Sequence, residues 1–220
     1  MKSFKKIGFL LVSLSLGSFT ILGCTQQRSF SETQIEPETQ QRATPVQTES
    51  PTETPSVPYV PTPQIVVNQM LELAKVSGDD VLYDLGSGDG RIPITAAQKY
   101  NVRRSIGVEL DPELVQESRA NAETAGVSDR VEFLQQDLFQ TDLSEATVVT
   151  LYLLPDVNLE LRSQLLRELE PGTRIVSHDF DFGDWKPERT VSLDLDEKYD
   201  VTGSWSSTIH LWTVPPRTAQ

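Results

Sequence analysis

The sequence predicts an α/β domain: a sheet of five parallel strands plus a C-terminal antiparallel hairpin, with helices on both faces. Three observations predict it. Between residues 81 and 177, short apolar runs rich in Val, Ile and Leu alternate with segments of helical period, the pattern of βαβ units and so of a parallel sheet. After residue 177 the helical segments stop, and two β-like runs follow that should pair as a hairpin. The stretch from 65 to 214 is the size of one domain with one core.

Each element has its own cause. Residues 65–74 put Ile65, Val66, Met70, Leu73 and Ala74 on one helical face, and Ser77-Gly78-Asp79 ends it. Residues 81–85 read as a buried strand, followed by a glycine-rich loop and a helix over 91–100 whose Pro93 fits the first turn. A second strand covers 105–110. Asp111-Pro112 then opens a helix that runs to Ala125, with Asp111 as N-cap and Gly126 as its stop. Strands are predicted over 131–134, 147–153 and 174–177, with a helix over 156–170 after Pro155. Residues 190–195 and 208–214 form the hairpin.

The chain has 220 residues, 32 acidic against 19 basic side chains, a formal charge of −13 and 37% hydrophobic residues. That balance argues against nucleic acid, whose binding relies on Lys and Arg to neutralise phosphates, and it disfavours an anionic membrane surface. Cys24 is the single cysteine, which excludes an intramolecular disulfide and a multi-cysteine zinc site. With His178 and His210 the only histidines, no metal is expected.

Lys2, Lys5 and Lys6 precede an apolar run over 7–22 that ends at Gly23-Cys24, the layout of a secretory signal. As a helix the run rises about 24 Å, short of the ~30 Å hydrocarbon core. Ile21-Leu22-Gly23-Cys24 resembles the bacterial lipoprotein box, which implies that Cys24 is the acylated first residue of the mature chain. Residues 25–64 hold seven of the 14 prolines and eight threonines with few apolar residues, and cannot pack a core. The expected organisation is a signal segment 1–23, a disordered Pro/Thr/Gln-rich tether 24–58, a folded domain 59–216 and a tail 217–220. The domain is expected to be a monomer held to the membrane through this N-terminal anchor.

Asp84-Leu85-Gly86-Ser87-Gly88-Asp89-Gly90 has glycines where a backbone approaches a ligand, but the third comes one residue too early for the dinucleotide fingerprint. Asp84 and Asp89 stand where a pyrophosphate would sit and would repel it. S-adenosyl-L-methionine carries a sulfonium and an ammonium and no phosphate, so this charge pattern selects it. Asp84, Gly86, Ser87, Gly88 and Gly90 are expected to cradle it. Glu109, ending the second strand, is placed to accept hydrogen bonds from the ribose. Asp137, past the third strand, is placed to receive the adenine amino group, with Leu138 and Phe139 flanking the ring. Any one of these residues also has a plain use as a cap or turn; four signals in order at successive strand ends make a cofactor site.

Tyr59-Val60-Pro61-Thr62, the glycine motif through Arg91, Gly107-Val108-Glu109, Thr150-Leu151-Tyr152-Leu153-Leu154-Pro155 and Val176-Ser177-His178 together resemble bacterial relatives of the mitochondrial lysine methyltransferases that act on ATP synthase subunit c and the adenine nucleotide translocase. The resemblance covers nearly all of residues 59–185. The glycine motif alone is also similar to the histone lysine methyltransferases of the seven-strand-like class. What this implies is the Rossmann-like, seven-stranded class I fold and protein-lysine N-methyl transfer, with Thr62 beside the cofactor and Tyr152 and Pro155 near the methyl group. Those relatives work inside the cell or mitochondrion, so the export signal is a departure.

Methyl transfer to an amine requires an aligned, neutral nucleophile in a pocket that excludes water. Tyr152 can orient an amine by its hydroxyl or by cation–π contact; its other reading is an ordinary strand aromatic. His178 follows the fifth strand with Asp179, Asp181 and Trp185, and is placed to accept a proton while Asp179 and Trp185 bind the acceptor. A satisfied histidine in a polar loop is the alternative. His210, Trp205 and Trp212 are expected to be structural. Two other functions stay open at this level: methylation of a small, quinone-like lipid acceptor, and a non-catalytic exported lipoprotein that keeps the fold.

Overall fold

The computed structural model describes residues 59–194 and 206–217, which belong to the compact unit spanning Thr54–Gln220. The signal segment 1–23, Cys24, the 24–58 tether, Trp205 and residues 218–220 lie outside the described residues.

Helix α1 (Gln64–Leu73) leads into β1 (Val81–Leu85), α2 (Arg91–Tyr100), β2 (Arg104–Glu109), α3 (Pro112–Ala125) and β3 (Val131–Gln135). A short 3-10 turn, Leu138–Gln140, precedes β4 (Val148–Leu151), α4 (Pro155–Glu168) and β5 (Arg174–His178); β6 (Arg189–Asp194) and β7 (Ser206–Thr213) close the chain. The seven strands form one sheet in the order β3-β2-β1-β4-β5-β7-β6. The first five are parallel, β7 runs antiparallel to β5, and β6 antiparallel to β7.

Alternation along the strands splits the core into two layers. Leu82, Val148, Val176 and Ile209 face α1, α2 and α3, whereas Tyr83, Leu85, Val149, Leu151 and Ile175 face Leu161 and Leu165 of α4. At the amino end of the sheet, Asp80 accepts hydrogen bonds from Ser77 and Thr147 and pairs with Arg174, which ties α1, β1, β4 and β5 together away from the crevice.

Predicted and observed elements differ at their ends. The fourth strand stops at Leu151, because Tyr152, Leu153 and Leu154 lead into Pro155, which has no N–H for a ladder and begins α4. Leu110 lies past the end of β2 and is exposed. The fifth strand extends one residue further than predicted, so His178 is a strand residue rather than a loop residue. Asp111 caps α3 as expected, its Oδ1 accepting the Glu113 N–H at 2.8 Å. Trp212 is fully buried, also as expected, and His210 lies on β7 with Nδ1 3.0 Å from the Thr190 hydroxyl.

Candidate active site

Strand order reverses between β1 and β4, which opens a crevice at their carboxyl ends. Strand parity decides what lines it. Asp84 on β1 is in register with Gly107 on β2 and Thr150 on β4, and His178 stands two residues beyond Val176, the β5 neighbour of Thr150. The polar ends of these strands therefore share the face covered by α1–α3.

The glycine loop is tied down from beneath. The Gly86 and Ser87 N–H groups both donate to the Val108 carbonyl, at 2.9 and 3.0 Å. Glu109 turns back over the loop: its Oε2 accepts the Gly88 N–H at 2.9 Å, and its Oε1 accepts those of Leu110 and Asp111 at 2.8 and 3.0 Å. Three backbone donors fix the carboxylate yet leave lone pairs for a ligand's hydroxyls. Gly88 has φ +52°, and a Cβ there would lie 2.2 Å from the Tyr59 ring, so glycine alone lets that ring lie over the loop. The Ser87 hydroxyl, in contrast, is turned under the loop against Gly107, buried and without a partner.

Asp84 is buried and accepts a hydrogen bond from the Thr150 hydroxyl at 2.7 Å. Burial pushes its pKa up, the Thr150 bond draws it back and the nearby charges of Glu109 and Asp89 raise it, to about 7. The charge reading needs correcting at Asp89. Arg91 closes on that carboxylate with Nε at 2.9 and 3.1 Å and Nη2 at 2.5 Å. Burial alone would raise the Asp89 pKa, but the Arg91 hydrogen bonds and charge hold it below the usual carboxylate range. With Asp89 locally neutralised, the selection for a cation falls to Asp84 and Glu109. A buried carboxyl poised near neutrality, beside a fixed carboxylate, suits a ligand bearing an ammonium and vicinal hydroxyls.

On the far side of the loop, Asp137 Oδ1 accepts the Phe139 N–H at 2.9 Å and its Oδ2 accepts from Gln140 Nε2 at 3.2 Å. Capping the 3-10 turn uses one acceptor lone pair on each oxygen and leaves others open. Leu138 packs against the core, while Leu110 and Phe139 at the ends of β2 and β3 keep exposed apolar surface.

Residues 59–63 link this half to the other. The Tyr59 hydroxyl accepts the Asp89 N–H at 3.3 Å, and burial raises the Tyr59 pKa to about 12. The Thr62 carbonyl accepts from Arg91 at 2.8 Å, and the Thr62 hydroxyl lies 3.3 Å from His178 Nδ1. His178 Nε2 is 2.9 Å from the Ser207 hydroxyl and 3.4 Å from the Asp179 carboxylate, and the ring lies 4.0 Å from that of Tyr152. Fully buried and engaged at both nitrogens, His178 is fitted to orient Thr62 and Tyr152; taking a proton directly from an acceptor would require an exposed nitrogen.

Pro155 begins α4 and is exposed. Trp185 is placed elsewhere: it stacks near Phe182 and Trp212, its carbonyl accepts from Trp212 Nε1 at 2.8 Å, and it belongs to the core layer beneath α4. That face is opposite the polar one. Sequence reasoning missed Thr150, Arg91 and Ser207. Arg91 had a local signal, two residues from Asp89. Thr150 had one in the register parity of β4 with β1. Ser207 had none.

A model of the ANTKMT methyltransferase domain matches residues 84–189. A protein-lysine N-methyltransferase of Saccharolobus islandicus is 47% identical over 160 residues, covering 73% of this chain and 95% of that protein. The adenine nucleotide translocase lysine N-methyltransferase of Mus musculus is 37% identical over 150 residues, 67% of this chain and 65% of the mouse protein. Among solved structures, one described as an RNA methyltransferase from Salinibacter ruber in complex with S-adenosyl-L-homocysteine is 55% identical, with a TM-score of 0.64, over 73% of this chain and 97% of that one. The match along nearly the whole Saccharolobus protein, with the fold and the carboxylate-lined loop, places the chain in the protein-lysine N-methyltransferase family, as an S-adenosylmethionine-dependent methyltransferase.

Proposed function

We propose that the chain methylates the ε-amine of a protein lysine, and that it does so anchored to a membrane through an acylated Cys24. The observation that carries the first part is the packing of Tyr152 against His178, itself in contact with the Thr62 hydroxyl, at the carboxyl end of the strand beside Asp84. The names of the Saccharolobus and mouse relatives support it. The anchor rests on the basic, apolar and Gly-Cys pattern of residues 2–24.

When bound, the cofactor supplies an electrophilic methyl group. Asp84 would hold the ammonium, Glu109 the ribose, and Asp137 with Leu138 the adenine. Thr62, fixed by Arg91 and His178, borders the crevice between cofactor and acceptor. A lysine amine titrates near 10.4 in water, so partial desolvation against Tyr152 lowers that value and yields the neutral nucleophile. The Tyr152 hydroxyl or ring face orients it, Pro155 and Asp179 border the entrance, and the released proton passes to water.

RNA appears in the description of the Salinibacter protein, but the acid excess of this chain lies wholly in residues 59–220, because the first 58 residues hold as many bases as acids. Such a domain repels phosphate and attracts a lysine-bearing segment. A quinone-like lipid acceptor is the reading that the anchor pattern favours; the ordered Asp84 and Glu109 speak against a non-catalytic lipoprotein.

Labelled methyl transfer to a lysine peptide tests the proposal. The label should be recovered as ε-N-methyl-lysine, and kcat/KM should rise about tenfold per pH unit below the pKa of the acceptor amine. A flat profile, or label that enters only lipid, contradicts it.

A further inference from the structure

The turn after β5 is fixed by side-chain hydrogen bonds that tie it to three elements. Asp179 has φ +61°, in the left-handed region that, among residues other than glycine, Asn and Asp adopt most readily because their short side chains hydrogen-bond locally. Its N–H donates to the Thr208 carbonyl at 2.7 Å and its Oδ1 accepts the Thr208 N–H at 2.8 Å, which locks that conformation. The Phe180 N–H donates to the His178 carbonyl at 2.8 Å, and the Phe180 carbonyl accepts from the Ser177 hydroxyl at 2.6 Å and from Asn158 Nδ2 at 3.2 Å. Asn158 is fully buried in α4, where an apolar residue would pack, and its Oδ1 has no hydrogen-bond partner. Two buried polar side chains and one left-handed residue thus serve to fix the position of Phe180.

The Phe180 ring lies alongside Tyr152, with centroids 6.3 Å apart and planes 13° apart. His178, on the same cluster, is sealed, whereas Tyr152 and Phe180 keep part of their surface open at the carboxyl end of the sheet.

We propose that Phe180 is a specificity residue of this methyltransferase: with Tyr152 it forms an aromatic wall that receives the acceptor amine and holds it more tightly as methyl groups accumulate. This deepens the protein-lysine reading and rests on it. A bare ammonium is strongly hydrated; each added methyl replaces an N–H and spreads the charge over apolar surface, so methylated forms lose less hydration and gain more from ring faces. In each transfer the amine lone pair forms the N–C bond as the C–S bond breaks, the sulfur keeps that electron pair, and the product ammonium releases a proton to water before it reacts again. Partly methylated lysine is therefore retained and carried to higher methylation states.

The test uses the full chain and one lysine peptide that it methylates, prepared unmodified and as its mono-, di- and trimethyl forms. For F180A, KM for the dimethyl peptide should rise about tenfold, and the calorimetric Kd of the trimethyl peptide should weaken to the same extent. The unmodified peptide should shift less, adenosylhomocysteine affinity should hold, and the product should move toward monomethyl-lysine; F180Y should keep the wild-type pattern. If F180A loses adenosylhomocysteine affinity, F180L, which lacks the ring but fills much of its volume, is read in its place. Equal effects on all peptide forms, or none, overturn the proposal. A wild-type protein that labels no lysine in any form overturns the lysine reading instead. Calorimetry with tetramethylammonium then decides Phe180 alone: weaker binding to F180A keeps the wall, and unchanged binding removes it.

Discussion

Asp84 is buried among groups that raise its pKa to about 7, well above that of an unfolded aspartate. The cofactor-free fold is therefore favoured while this carboxyl is neutral, and that advantage is lost as pH rises through about 7. A cationic ligand draws it into the ionised form, so cofactor binding should release a proton below pH 7 and tighten from pH 6 to 8. Asp84→Asn should weaken adenosylmethionine at least tenfold, flatten that pH dependence and leave the cofactor-free protein at pH 8 as heat-stable as wild type or more so. Titration calorimetry between pH 6 and 8 and a thermal melt check these outcomes. Asp84 and Glu109 were legible in the sequence because spacing alone puts carboxylates at the ends of the first two strands. The Asp89–Arg91 pairing and the inward turn of Ser87 were not, since spacing does not say which way a loop side chain folds.

Within the elements, periodicity located the helices and strands, and the differences sit where a second constraint intervenes. Pro155 ends the fourth strand early, and the 3-10 turn Leu138–Gln140 is too short to carry a period; Asp137 defines it by capping. Gly90 shows how tightly the loop is set against its neighbours. It has φ +79° at the N-cap of α2, and a Cβ would lie 2.4 Å from Phe133 and 2.9 Å from Ser118. Gly126 has nearly the same backbone, φ +69°, with nothing within 4 Å. Gly126→Ala should cost about 1 kcal/mol, for backbone conformation alone. Gly90→Ala should cost about 2–4 kcal/mol, because overpacking adds to that strain. Denaturant midpoints of the two variants measure the difference, and equal midpoints would mean that α2, α3 and β3 yield more easily than the packing indicates.

Across the whole molecule, alternation of strands and helices predicts a parallel sheet, and the end of that alternation predicts the hairpin, but neither gives the partners of distant residues. The Thr62–His178 contact joins residues 116 positions apart, and Ser207 reaches the same histidine from β7. The side of the crevice built by Thr62, His178 and Ser207 was therefore less legible than the side built by Asp84, Glu109 and Asp137, whose residues follow one another through β1, β2 and β3. The acid excess of the domain acts at the longest range, repelling phosphate and attracting cationic segments. The most direct measurement supplies the full chain with methyl-labelled adenosylmethionine in a membrane and soluble extract that still contains protein, RNA and lipid, with the Asp84→Asn variant beside it. After fractionation and hydrolysis, the label should appear as ε-N-methyl-lysine with the wild-type chain and fall sharply with the variant; label in RNA or lipid, or equal lysine label from both chains, would contradict it.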